Sequence, residues 1–182
     1  MRIGIDISQV VYEGTGVGRY VRELIPRVIA ASPEHTFVLF AGSLRQKNKV
    51  DAFVRGVQKK SRNVEVKIVP IPPKLLDLLW NVLHIIPIDW FTGPVDVFWS
   101  SDWTQPPLSK KIIGITTIHD VSFLHFPESF PREILAVQRR RLLQALHECA
   151  LFLCDSEATK KDVAEYIGIK ESKLLVVYPG VS

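Results

Sequence analysis

Short apolar runs recur along this chain, and each pair is separated by enough residues for one helix. MRIGIDI, FVLFAG, VEVKIV, VDVFW, IIGITTI, CALFLC and LLVV follow one another. Stretches such as Ile112-Ile113-Gly114-Ile115 and Leu151-Phe152-Leu153 do not alternate with polar residues. That is the pattern of parallel strands buried on both faces. The runs predict strands over 2–7, 35–41, 64–69, 95–100, 112–118, 149–155 and 174–178. Between them, helices are predicted over 17–31, 44–59, 73–86, 131–148 and 157–167. Strands alternating with helices join by right-handed crossovers. The expected fold is therefore α/β: a Rossmann-like, doubly wound, mainly parallel sheet of about seven strands, with residues 1–182 as one domain.

Composition agrees with a buried core. Apolar residues make up 47% of the 182 positions, which argues against disorder. The formal charge of +4 suits a phosphate-bearing ligand or an anionic surface. It is too small, and the basic residues too scattered, for nucleic acid. Cys149 and Cys154 lie in one predicted strand on opposite faces, so they read as buried thiols and not as a disulfide. Reduced thiols and a strand starting at residue 2, with no signal-peptide pattern, predict a cytoplasmic protein. The tract from 75 to 91 is the most apolar, but Asp77, Asn81, His84 and Pro87 interrupt it. It reads as a core helix, with a place at a membrane edge as the alternative, since a membrane span needs about 20 apolar residues.

Two helices carry legible punctuation. The first shows Val17, Val21, Leu24, Ile25 and Val28 on one side, and Pro26 is expected to kink or end it. The last has Ser156 as an N-cap, Glu157 in its first turn and Gly168 just past its end. Tyr178-Pro179-Gly180 reads as a strand running into a turn.

After the first strand comes a loop containing Gly14, Gly16 and Gly18. Amides of a glycine loop together with a helix N-terminus make an anion site, to which Arg19 adds charge. The bland alternative is a loop that only turns the chain. The spacing is not G-x-G-x-x-G and the second strand ends Phe40-Ala41-Gly42 without a carboxylate, which disfavours a nicotinamide cofactor. No G-K-[ST] occurs, so a P-loop nucleotidase is excluded.

In an open parallel sheet, ligands bind beyond the C-terminal ends of the strands. His119-Asp120 ends one strand at that edge, and Ser100-Ser101-Asp102-Trp103 ends another. His119 is read as the candidate catalytic residue, and Asp120 as a loop cap or as the group that orients His119. Asp102 and Trp103 suit a sugar acceptor, through hydroxyl hydrogen bonds and an aromatic face against C–H surface. A packed tryptophan in a plain turn is the competing reading. His84 and His147 lack metal-ligand spacing and read as structural, and no D-x-D pair implies a metal. Arg139-Arg140-Arg141, with Arg132, reads as a solvated helix face, with contact to anionic lipid headgroups as the functional alternative.

Taken in order, the glycine loop GTGVGRYVREL, the strand GITTIHDVSF, the segment Phe126-Pro127-Glu128, the arginine-rich helix and LFLCDSEATKKDV resemble the N-terminal half of a family 4 retaining glycosyltransferase with GT-B architecture. The resemblance implies a sugar transfer from a nucleotide-sugar donor to a hydroxyl acceptor, a glycan or lipid-linked glycan. It implies Gly16, Gly18 and Arg19 near the donor diphosphate, His119 near the transferred sugar, and Asp102, Trp103 and Asp120 toward the acceptor. It also implies a C-terminal nucleotide-binding domain absent from these residues and no cofactor beyond the donor substrate; peripheral contact with the inner face of a membrane is the alternative that the arginine-rich and apolar helices add. The rival enzyme reading is another GT-B sugar-nucleotide enzyme such as an epimerase. The rival outside enzymes is a stand-alone doubly wound binding module.

Overall fold

A computed structural model describes residues 1–180. Its strands are β1 (Arg2–Asp6), β2 (Thr36–Gly42), β3 (Val64–Val69), β4 (Val97–Ser100), β5 (Ile113–Ile118), β6 (Cys149–Cys154) and β7 (Leu174–Val176). They form one sheet in the order β3-β2-β1-β4-β5-β6-β7. Every neighbouring pair is parallel. The order reverses between β1 and β4, which makes that junction the topological switch point of a Rossmann-like sheet.

The helices are α1 (Gly16–Ala31), α2 (Lys47–Gln58), α3 (Pro73–Leu76), α4 (Asp89–Thr92), α5 (Ser122–His125), α6 (Arg132–Glu148) and α7 (Glu157–Asp162). Strand β2 shows why they flank both faces. Phe37, Leu39 and Ala41 pack with Val21, Ile25 and Ile29 of α1 and Val50, Val54 and Val57 of α2. Val38 and Phe40, pointing the other way, pack with Leu76, Trp80, Ile88 and Phe98. A third core joins Leu142 and Ala145 of α6 to Phe152, Cys154 and Val163.

Three expectations change in the structure. Helix α1 runs through Pro26 to Ala31 without ending there, and Ile29 completes its buried face, with Val28 only half-buried. The helix expected over 73–86 stops early: α3 passes into a π-helical turn, Asp77–Val82. Pro87 disfavours helical backbone at Ile86, and both His84 (φ 49) and Ile86 (φ 63) take the left-handed conformation. Side chains hold this turn. His84 Nδ1 donates to the Trp80 carbonyl at 2.8 Å, and Trp80 Nε1 donates to Ile86 O at 3.1 Å. His84 Nε2 lies 2.8 Å from Glu148 on α6. Third, the short helices α4 and α5 arise where no helix was read.

The expected caps of α7 are present. Ser156 Oγ accepts from Thr159 N at 3.1 Å, and α7 continues into a π-helical turn, Val163–Ile167, that ends at Gly168, left-handed at φ 77. Cys149 and Cys154 are buried and free. No helix among the described residues is long and apolar enough to cross a membrane.

Candidate active site

Beyond β1 the chain makes a 3-10 turn, Ser8–Val11, and reaches the glycine loop. Thr15 is the N-cap of α1: its Oγ1 accepts from Gly18 N at 3.1 Å and donates to Tyr12 O at 3.0 Å. Gly18 is therefore a packing glycine whose amide is already bonded. A β-carbon there would overlap the Tyr12 carbonyl oxygen, whereas one on Gly16 would meet nothing within 4 Å. Arg22 Nη1 ties α1 back to Val10 O at 2.9 Å. Gly16 opens the helix, where first-turn amides have no helical partner. Together with Arg19, Tyr20 and Tyr178 it lines a groove of about 520 Å³.

His119 lies just past β5. Its Nδ1 is 2.7 Å from Asp155 Oδ2, at the end of β6. The Tyr20 ring meets the imidazole edge-on, with centroids 4.8 Å apart. The His119 carbonyl accepts from the Thr159 hydroxyl at 3.2 Å. Both ring and backbone are thus fixed at the head of the sheet, at the mouth of a hollow of about 130 Å³ that also touches Asp102, Gln138 and Arg141. Asp120 lines the same hollow, and its Oδ1 accepts from Ser122 N at 2.8 Å at the start of α5.

Asp102 and Trp103, adjacent in sequence, serve different cavities. Asp102 lines the hollow beside His119; Trp103 lines a wider cleft of about 470 Å³ with Ser8, Gln9, Ser43, Arg45 and Thr104. The Asp102 Oδ1 atom is buried without a hydrogen-bond partner among the described residues. Burial pushes its carboxyl above the ordinary value, while the charges of His119 and Arg141 pull it down. Asp6, at the end of β1, is likewise raised by burial, although Ser8 N donates to its Oδ1 at 2.8 Å.

The arginine run is not a solvated face. Of the three consecutive arginines only Arg139 is exposed, and Arg132 at the start of α6 is exposed as expected. Arg140 pairs with Asp77 at 2.7 Å, and Arg141 is fully buried. Arg141 Nη2 donates to Ser101 O at 3.1 Å, to Thr117 O at 3.0 Å and to the Thr116 hydroxyl. It ties the ends of β4 and β5 together directly beneath Asp102 and His119. The helix phase explains the difference: Arg141, Leu142 and Ala145 share the buried side of α6.

Sequence reasoning missed Arg141, Tyr20 and Asp155. Asp155 was findable, because it follows a strand at the same edge as His119. Among the described residues no cluster of three His, Cys, Asp or Glu side chains is placed to hold a metal ion.

The parallel sheet, its switch point and the polar strand ends above it define one half of a GT-B architecture. The chain matches the model of Glycosyltransferase Family 4 over residues 14–182. It belongs to glycosyltransferase family 4 and corresponds to that family's N-terminal domain. Comparison with curated protein sequences finds no match.

Proposed function

We propose that this chain is the acceptor-side domain of a two-domain enzyme that transfers a sugar from a nucleotide-sugar to a hydroxyl acceptor with retention of configuration. The observation that carries the reading is the fixed imidazole of His119 at the head of the sheet, held through Nδ1 by Asp155. That bond leaves Nε2 to meet a ligand. With Nδ1–H given to Asp155, the ring presents Nε2 as a fixed hydrogen-bond acceptor for a sugar hydroxyl, and a polar group preorganised in this way favours a transition state without reorganising. The groove at Gly16 and Arg19 suits the donor diphosphate, since amides at a helix start and a guanidinium both favour anions. The cleft at Trp103 suits an acceptor glycan, whose C–H faces pack on an aromatic ring and whose hydroxyls bond Ser8, Gln9 and Ser43.

A second domain closes over these groups in this reading and supplies most of the nucleotide contacts. The donor is a substrate, and the chain's own residues do the positioning without a further cofactor. Two buried cysteine thiols support a reducing, cytoplasmic setting. The test is a screen of the longest natural form of the protein against nucleotide-sugars, with the anomeric configuration of the product read by NMR. Release of nucleotide with an α-linked product from an α-linked donor supports the proposal. Epimerised sugar without transfer would replace it with the rival enzyme reading.

A further inference from the structure

The cleft beside Trp103 carries a positive charge that a neutral sugar would leave unused. Ser8, Gln9, Ser43 and Thr104 line it with small polar groups, and Arg45 lines it too. Its volume of about 470 Å³ lies in the range of small-ligand sites. Among the described residues no aspartate or glutamate lines it. The acids of the neighbouring strand ends, Asp6 and Asp102, face smaller hollows beside it. Arg45 is exposed and makes no hydrogen bond or ion pair with the described residues. Gln9 is only 9% exposed, yet its side-chain amide has no hydrogen-bond partner among them either. A buried amide left without a partner costs free energy, which a ligand in the cleft recovers.

The helix that follows Arg45 is charged against its own dipole. Helix α2 starts at Lys47, and its N-cap, Gln46, offers no side-chain bond. Acids stabilise a helix start and cations destabilise it. Here the first turn holds no acid, while Arg45, Lys47 and Lys49 crowd the start. Lys49 is offset by Glu13 at 3.2 Å, but Arg45 and Lys47 have no acidic partner among the described residues. All three are exposed, so packing does not require them. A local rule broken without a structural gain is characteristic of a binding site. The loop that carries Arg45 is tied to the cleft wall, since Ser43 Oγ accepts from Gln46 N at 3.3 Å. An anion held there relieves the repulsion and meets first-turn amides that lack helical partners. Arginine also narrows its shape, because the planar fork matches a carboxylate or a phosphate at two points. We infer that the acceptor taken by this cleft is an acidic sugar, whose carboxylate or phosphate meets Arg45 while its ring lies against Trp103. The inference rests on reading the cleft as the acceptor site and adds the acceptor's charge to that reading.

The test titrates the full chain with glucose, glucuronic acid and glucose 6-phosphate, and follows binding by calorimetry and by saturation-transfer NMR. At least one acidic sugar should bind about tenfold more tightly than glucose, the scale of one charge-assisted contact. That preference should shrink as salt rises. A preference for glucuronic acid assigns a carboxylate, and a preference for the phosphate ester assigns a phosphate. Arg45→Gln should bind all three sugars at the level of glucose, with an unchanged melting temperature because Arg45 is exposed. Trp103→Ala should weaken all three. Equal affinity of the wild type for the three sugars, lost in Trp103→Ala, would overturn the inference and leave the acceptor reading standing. A preference for an acidic sugar that survives Arg45→Gln would overturn it as well. Binding of every sugar that Trp103→Ala leaves intact would overturn the acceptor reading itself, and a chain that binds none of them would overturn both.

Discussion

Nδ1 of His119 and Oδ2 of Asp155 are 2.7 Å apart, and the two residues come from the ends of adjacent strands, β5 and β6. The pairing changes how His119 is best tested. Alanine at 119 would strand a mostly buried carboxylate, so its effect on turnover would be mixed with lost stability. Asparagine keeps a side-chain donor near the position of Nδ1 and removes Nε2. His119→Asn in the complete enzyme should lower kcat by about 10²-fold, the scale of one positioned polar group, with a melting temperature close to wild type. Steady-state kinetics beside thermal melting would check this. Turnover near wild type would make His119 a structural histidine.

The two loop glycines should separate stability from ligand binding. Gly18→Ala must displace the Tyr12 carbonyl or break the Thr15 cap, so it should lower the melting temperature sharply. Gly16→Ala meets no atom within 4 Å and sits at a helix start, so it should leave stability unchanged or slightly raised. If the donor diphosphate approaches the Gly16 backbone, the same variant should raise KM for the donor in the complete enzyme. Equal losses of stability in the two variants would refute the packing argument for Gly18.

Removing the buried guanidinium should be expensive. Arg141→Met keeps most of the side-chain volume but leaves the Ser101 and Thr117 carbonyls without their donor. Buried acceptors that lose a charged partner predict a loss on the order of 3 kcal/mol. Urea titration would measure it. A loss within experimental error would mean that water replaces the guanidinium without cost.

The sheet was legible because both faces of β2 are apolar and because apolar strands alternate with helix-length segments, which makes the pairing parallel; the strand order came only from the structure. The His119 position was legible for the same reason, since a strand end in an open sheet faces the crevice. What escaped was set by tertiary contact. Helix phase sets Arg141 on the side of Leu142 and Ala145, but only packing of α6 against β4 and β5 buries its guanidinium while Arg139 stays exposed. The sequence does not separate Asp102 from Trp103 either, which one peptide bond sends into different cavities. The break after Val82 was half-written in Pro87, but the left-handed turn needed Glu148 on a distant helix to hold His84.

The two thiols should be unreactive while the chain is folded. Burial pushes the Cys149 thiol up to about 12 and the Cys154 thiol up to about 11. Reaction needs the thiolate and access to it. A coloured disulfide reagent at neutral pH should label neither residue in the native protein and both in urea. Rapid native labelling of one equivalent would show that β6 opens on its own.

The buried carboxyl of Asp102 should leave a signature in the pH dependence of stability. Burial raises its proton affinity in the folded chain, while the unfolded chain leaves it at the ordinary carboxylate value. Between those two values the folded state holds the proton more often than the unfolded state, so stability attributable to this group falls as pH rises. It is fully present below the unfolded carboxylate value and is lost as pH climbs through the folded one. Asp102→Asn carries no such proton. Asp6, also raised by burial, stays in both proteins and contributes to each profile. Wild type should therefore gain stability relative to Asp102→Asn on acidification from neutral pH, and lose it again on return. Urea unfolding at a series of pH values, with the two proteins side by side, would show the difference directly. Parallel profiles would mean that the charges of His119 and Arg141 offset the burial. A wild type that weakens relative to the variant on acidification would mean that they outweigh it, leaving Asp102 a stabilised carboxylate.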